Sequence, residues 1–443
     1  MNADWLRYLP DVLHKKLDGR RDFQAIIGNA GWLLVDKIIR LGLGLFVGTW
    51  IARYLGPKQF GLLSFATAFV TLFGALATLG LDGIVIRELV KGPTRNHEIL
   101  GTAFTLKLTG GAITVMITLL SIFLVRGKET LILWLVGLSA SVLIFQSVNV
   151  IDFYFQANVQ SRYTVYAANL AFILITMTKV ALLLLAAPLI AFAWAALGEA
   201  ALTAAFLLVI YRANCHDVTT WRYDGSVARQ LLKDSWPLLL AGLAVMVYMR
   251  LDVVMLQQMA GDREVGVYAA ATRISEVWYF LPALLVASVA PSLIKCHRTD
   301  PDLFTVRFRR LYFVLVWLAV GLSVPLSLAS GWIIRVLYGV QFNGAAPVLA
   351  IHFWASVAVF LGVASSQYLL VEQLQTISFY RTLIGVICNI ILNLVLIPRF
   401  GATGAALATV VSYSIATVSI VLFKSTRAHS LHMLMAPFTR HSL

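Results

Sequence analysis

Apolar runs of about twenty residues recur from one end of the chain to the other, each separated from the next by a short polar stretch. In runs such as ALLLLAAPLIAFAWAAL at 181–197 the apolar residues do not alternate with polar ones. The pattern is therefore that of lipid-crossing helices and not of the strands of a membrane barrel. It predicts twelve spans, at 27–52, 60–81, 102–125, 131–154, 164–186, 189–211, 235–259, 265–290, 311–333, 346–370, 379–397 and 402–423. The connections are short. The longest, from Arg212 to Asp234, leaves no room for a soluble catalytic or nucleotide-binding domain.

One polar stretch occurs twice. GPKQFGLLSFA at 56–66 matches GDREVGVYAAA at 261–271, with Gly56 on Gly261, Gly61 on Gly266 and Ala66 on Ala271, all at an offset of 205. Ala195–Leu197 and Ala405–Leu407 repeat near the ends of the two halves at an offset of 210. Six spans per half is an even number, so both halves enter the membrane the same way up, as parallel repeats do. The expected organisation is an interfacial segment at 1–25, a six-helix lobe at 26–212, a linker at 213–233, a second six-helix lobe at 234–424 and a tail at 425–443. Gly56 and Gly261 suit the left-handed residue that ends a helix, and Pro57 suits the first turn of the next. Each polar knot is thus expected to be a tight hairpin, a connection without chemistry of its own.

Composition agrees with the pattern. The 443 residues are 60% hydrophobic and 13% charged, with a mean hydropathy of +0.83, against about 25% charged in soluble domains. The net charge of +14 suggests a nucleic-acid partner until its distribution is considered. With the N-terminus inside, 22 Lys and Arg fall on inner segments, seven on outer loops and six within spans. That asymmetry is the positive-inside rule; it excludes a nucleic-acid reading and puts both termini in the cytoplasm. In the first 25 residues Trp5, Leu9, Leu13 and Leu17 recur every four positions opposite Arg7, Lys15 and Lys16, which fits a helix lying on the inner surface; a basic tail fits equally well. Cys215, Cys296 and Cys388 predict no disulfide framework. There is no GxxxxGK[ST] sequence and no Cys/His spacing of a metal site, so no cofactor, metal or catalytic residue is expected.

Several stretches then resemble one family. LDVVMLQQMAGDREVGVYAAATRISEVWYFLPALLVASVAPSL resembles spans seven and eight of the polysaccharide-transporter branch of the MOP superfamily, the Wzx-type flippases. ARYLGPKQFGLLSFATAF with LGLDGIVIREL is similar to that family's first hairpin, DFYFQANVQSRY to its segment after span four, and VLYGVQFNGAAPVL and IPRFGATGAALATVVSY to its later signatures. In DFYFQAN, Ala157 and Asn158 stand where the family has Gly-Leu or similar. The resemblance implies an all-α integral membrane fold of two six-helix bundles around a central cavity, lined mainly by spans one, two, seven and eight. It also implies an activity: flipping undecaprenyl-pyrophosphate-linked oligosaccharide, an O-antigen or exopolysaccharide repeat unit, across a bacterial inner membrane by alternating access. Membrane lipids and other polysaccharide-assembly membrane proteins are the implied partners.

Charges within spans cost at least about 2.5 to 3.5 kcal/mol at mid-bilayer, so each calls for a reason. The bases are Lys37 and Arg40, Lys107, Lys179, Arg250 and Arg273; the acids are Asp36, Glu199, Asp252 and Glu276. Lys37 and Arg40 share a helix face, and Arg273 and Glu276 have the same spacing of a pair. Two readings stand for each: glue between helices, or a water-filled cationic cavity in which guanidinium groups meet pyrophosphate oxygens in bidentate pairs. Lys37, Arg40, Lys179, Arg250 and Arg273 are the candidate substrate-binding residues, and Asp36, Asp252, Glu276 and Glu199 the coupling or ion-pair candidates. Lys107 is expected to snorkel to the inner interface, Asn389 and Asn393 to bond between helices, and His352 to be packed. A MATE-type cation or drug antiporter is the alternative of the same fold; acids would dominate its cavity, whereas the deep count here is six basic to four acidic. A polymerase or glycosyltransferase would want a large outer loop, and the outer loops are tiny.

Overall fold

The computed structural model describes residues 21–214 and 217–436, with side chains at 37 and from 39 onward apart from 93 and 298. Among these residues there are helices, 3-10 turns and short connections, and no strand. Ten helices are long and apolar enough to cross a membrane. Two of them are bent at a glycine outside helical geometry: α1 (Arg21–Thr78) at Gly56, with φ 71° and ψ 169°, and the helix Gln375–Val418 at Gly401, with φ 54° and ψ −131°. Counting each limb separately gives the twelve crossings expected from the apolar runs. The surface helix expected at 1–25 lies, up to residue 20, outside the described residues, as does Cys215; Cys296 is buried and Cys388 half-buried, both free thiols.

The chain divides into two compact units. One comprises residues up to Val47 together with Phe73–Gly242. It holds the first limb of α1, then α2 (Asp82–Lys91), α3 (Asn96–Arg126), α4 (Thr130–Phe145), α5 (Val150–Ala157), α6 (Arg162–Leu184), α7 (Leu189–Ala213) and the start of α8 (Gly225–Ala260). Its core joins Leu81, Val85, Leu100, Val150, Phe155 and Tyr211. Gly80 sits where a Cβ would come within 2.7 Å of the Leu239 amide nitrogen, which lets the backbone after α1 approach α8 closely.

The other unit comprises Gly48–Leu72 and residues from Leu243 on. It holds the end of α8, then α9 (Asp262–Ser275), α10 (Phe280–Thr299), α11 (Pro301–Leu328), α12 (Ser330–Tyr338), α13 (Ala345–His352), α14 (Ala355–Val371), α15 (Gln375–Val418) and α16 (Arg427–Met435). Leu293, Phe308, Tyr312, Phe360 and Met433 belong to its core.

The two polar knots meet in this second unit. A Cβ on Gly61 would overlap the Asp262 carbonyl oxygen, and one on Gly266 would overlap the Pro57 carbonyl oxygen. Pro57 and Asp262 are themselves repeat equivalents, so the same contact is made twice. Gly261 has φ 87° and ψ 176°, close to Gly56, as the repeat requires. Glu264 accepts a 2.9 Å bond from the Ala402 amide, which ties the second knot to the start of the second limb of α15.

Residues 425–443, expected as a tail, include a docked helix. In α16 His429 stacks on Tyr368 with ring centres 3.3 Å apart and takes part in a 2.7 Å hydrogen bond with the Tyr312 hydroxyl. Met433, one turn on, is fully buried. Residues four apart share a helix face, which is why so short a helix can seat itself. Burial, with His432 nearby, pushes His429 down from the ordinary 6.5 to about 3. Burial, with the Arg309 charge beside it, also lowers His432.

Candidate functional site

In the first unit two bases converge on one acid. Lys179 Nζ, on α6, lies 3.0 Å from Glu199 Oε2 on α7. Arg40, on the first limb of α1, lies 3.7 Å from the other carboxylate oxygen. The Arg40 guanidinium also sits 5.1 Å over the ring of Phe172, a cation–π arrangement. All three charged groups are half-buried. Lys37, one turn before Arg40 as its spacing requires, is exposed. The side chain of Asp36 lies outside those described.

In the second unit the pairing differs from what helix spacing suggested. Glu276 pairs with Arg250 on α8, at 3.5 Å, and not with Arg273 in the preceding turn. Arg273 is exposed and its guanidinium lies against Gly48, where a Cβ would come within 2.5 Å. Asp252 does not pair with Arg250 at salt-bridge distance either. Its carboxylate accepts from the Val253 amide at 2.8 Å, from the Tyr268 hydroxyl and from Thr409 at 3.3 Å. Three donors in a buried pocket, where Asp252 is 5% exposed, replace the water a carboxylate would otherwise need.

Lys107 does not snorkel. Its ammonium bonds Asp82 at 2.8 Å and sits 4.6 Å over Phe153. A near neighbour with the right charge removes the reason for the stem to stretch toward water. His352 bonds Ser275 at 2.7 Å. Asn393 donates to Asn389 at 2.9 Å, and Asn389 to Ser412 on the second limb of α15 at 3.2 Å.

Three groups escaped the sequence reading. Tyr268 and Thr409 carry no charge, so nothing in the apolar pattern distinguishes them as partners of Asp252. Arg381 lies near the start of the span expected at 379–397, where a cation is ordinary for an inner interface. It donates to the hydroxyls of Ser365 and Ser366, at 2.5 Å each. Among the described residues no group of three or more His, Cys, Asp or Glu is placed to hold a metal ion.

Similarity to known proteins accords with this architecture. Residues 26–297 match the family described as "Polysaccharide biosynthesis protein". The chain is similar to the "Probable low-salt glycan biosynthesis flippase Agl15" of Haloferax volcanii, 22% identical over 391 residues, which covers 87% of this chain and 80% of that protein. It is also similar to the "Probable flippase AglR" of the same organism, 29% identical over 184 residues, 40% of this chain and 38% of that one; the match thus spans well under half of AglR. Among solved structures, an inward-facing multidrug resistance MATE transporter of the MOP superfamily superposes with a TM-score of 0.70 at 15% identity, over 92% of this chain and 99% of that one. The lipid II flippase MurJ, inward closed, gives 0.67 at 14% identity, over 93% and 90%. Such likenesses establish the fold, and the family match reaches further: this chain is a member of the polysaccharide biosynthesis protein family, built on the fold of the MOP superfamily.

Proposed function

We propose that the protein is a flippase for a lipid-linked oligosaccharide, working by alternating access between the lobes at 26–212 and 234–424. The observation that carries this reading is the convergence of Arg40 and Lys179 on Glu199 within an apolar helical unit. Desolvated cations are costly to keep, and a pyrophosphate that must leave water repays them through charge-assisted bonds. Lys37, Arg40 and Lys179 in one unit, and Arg250 and Arg273 in the other, are the proposed binding residues. Asp36, Glu199, Asp252 and Glu276 are the proposed ion-pair or coupling acids. The finer reading, an undecaprenyl-pyrophosphate carrier bearing an O-antigen or exopolysaccharide unit in a bacterial inner membrane with both termini cytoplasmic, rests on the sequence resemblance and on the charge asymmetry of the loops. Both Haloferax volcanii relatives are named as probable flippases, and the name of Agl15 adds glycan biosynthesis, which supports flipping in glycan assembly; both are archaeal proteins and do not speak to that carrier or membrane.

Export of labelled glycan, measured beside membrane abundance, tests this. Arg40→Glu should abolish export in protein that is still inserted; Arg250→Glu should abolish it too, with lower abundance because Glu276 loses its partner. Arg40→Lys should keep part of it, since the charge survives while the bidentate fork is lost. Normal export by an abundant Arg40→Glu/Arg250→Glu double variant would refute the assignment. Selective binding of an organic cation in place of lipid-linked pyrophosphate would favour the antiporter reading of the same fold.

A further inference from the structure

The helix α16 in the second unit turns its polar residues inward and its apolar residues outward. Its buried face carries His429, Ser430 and Met433. The opposite face, formed by positions 427, 431 and 435 with 434 beside them, carries Arg427, Leu431, Met435 and Leu434. On that face Leu431 is 44% exposed, Leu434 37% and Met435 56%. A helix at a boundary between protein and water has the reverse arrangement, polar outward. A cluster of apolar side chains held outward marks a surface that something other than water covers.

The place of α16 in the fold identifies the cover. The last span expected from the sequence is 402–423, and the helix is bonded to the final turn of that span. The Thr426 hydroxyl donates to the Ile420 carbonyl, the Thr426 amide to the Phe423 carbonyl at 3.1 Å, and Arg427 Nε to the Val421 carbonyl at 3.4 Å. One turn on, His429 meets Tyr312 and Tyr368, which stand at the ends of the spans expected at 311–333 and 346–370. The helix therefore runs along the border at which three spans leave the hydrocarbon. The span that leads into it also turns Val411, Ile415, Val418 and Leu422 outward, so the apolar surface is continuous with a lipid-facing one. Lys424 and Arg427, both exposed, stand where the span gives way to the helix.

We propose that α16 is a membrane-surface helix, clamped between the core of the second unit and the bilayer. Leu431, Leu434 and Met435 lie at the boundary of acyl chains and headgroups, and Lys424 and Arg427 each meet a phosphate of their own. Helices of this kind hold on through buried apolar area together with attraction to anionic lipid. The proposal does not depend on what the protein transports. The test uses the full chain in vesicles of phosphatidylcholine and phosphatidylglycerol, its three cysteines replaced by alanine and one returned to carry a fluorophore. Labels in Leu431→Cys, Leu434→Cys and Met435→Cys should be quenched by lipid brominated on its acyl chains about as well as a label in Leu422→Cys, and only weakly by iodide in the water. Brominated phosphatidylglycerol should quench more than brominated phosphatidylcholine at equal content. Lys424→Gln/Arg427→Gln should reduce that preference, by up to about fivefold for each charge removed. All six positions are exposed, so these variants should fold. Strong iodide quenching at 431, 434 and 435 would overturn the proposal, because the face would then look into water. Shielding from both quenchers, with cross-linking between copies, would also overturn it and make the face a contact between two chains. An unchanged lipid preference in Lys424→Gln/Arg427→Gln would overturn the assignment of the two cations to headgroup phosphates.

Discussion

Lys107 and Asp82 form an ion pair in which only one partner has left water: the Lys107 side chain is 3% exposed and that of Asp82 55%. The two ends therefore respond unequally to mutation. Removing Asp82 strands an ammonium among α3 and Phe153, at a cost of about 3 to 5 kcal/mol for a buried charge without its partner. Removing Lys107 leaves a carboxylate that water already reaches. Asp82→Asn should lower thermal stability and membrane abundance sharply, and Lys107→Met by far less. Equal losses would mean that the pair is not asymmetric.

The glycines of the two knots should be intolerant for a reason distinct from turn conformation. Gly61→Ala and Gly266→Ala each place a methyl group on a backbone carbonyl that cannot step aside; overpacking of this kind costs about 1 to 3 kcal/mol or more. Gly74→Ala, where nothing lies within 4 Å, should be neutral or gain a few tenths of a kcal/mol from helix propensity. Fluorescence-detected melting of the three variants in one detergent would separate them.

The partner of Arg250 is Glu276, and a charge exchange tests it. Arg250→Glu alone removes the cation that pairs with Glu276 at 3.5 Å and adds a like charge on the facing helix, so abundance should fall together with export. Arg250→Glu/Glu276→Arg should restore abundance, and if Arg250 also contacts substrate, export should stay low. The same exchange with Asp252, Arg250→Asp/Asp252→Arg, should rescue nothing, because the Asp252 pocket is made of hydrogen-bond donors.

Acid should loosen α16. His429 is neutral in the docked helix, its pKa held at about 3 against 6.5 for the free group. Because the undocked form binds the proton more readily, docking is at full strength above about pH 6.5. It weakens by up to about tenfold for each unit below that, until pH 3 or so. Protection factors across 427–435, taken relative to the base-catalysed intrinsic exchange rate at each pH, should fall between pH 6.5 and 5, and His429→Phe should flatten the fall.

Topology can be tested with thiols. Lys58 and Arg263, the repeat-equivalent tips of the two knots, are both exposed. Cysteines placed there should react with an impermeant reagent added outside intact cells, and native Cys215 should not. Cys296 is 5% exposed, so its silence would carry no information about sidedness.

The helical architecture was legible because lipid imposes it: a run of apolar residues has few alternatives, and the Gly56 and Gly261 turns followed from the repeat. Partners across helices were not legible. Arg273 and Glu276 have helix spacing, yet Glu276 meets Arg250, 26 positions back and on another helix. Asp82 lies 25 positions from Lys107, and Thr409 lies 157 from Asp252. Periodicity reports which side of its own helix a residue occupies and says nothing of the neighbour it meets there. Arg381 was missed for a further reason: a cation near a span end looks like topology, and only its neutral surroundings distinguish it.

The contact between the two knots has a consequence for how such a chain could arise. Gly61 meets the carbonyl at Asp262, and Gly266 meets the carbonyl at Pro57, so residue i touches j while the equivalent of j touches the equivalent of i. That is the logic of an isologous dimer interface, in which one patch serves as both donor and receiver. A single half-length ancestor could have used this patch to recognise its own copy, and gene fusion would have needed no new surface there. Once the halves are joined, each glycine is held in place by a backbone some two hundred positions away, so the copies cannot diverge independently at this crossing.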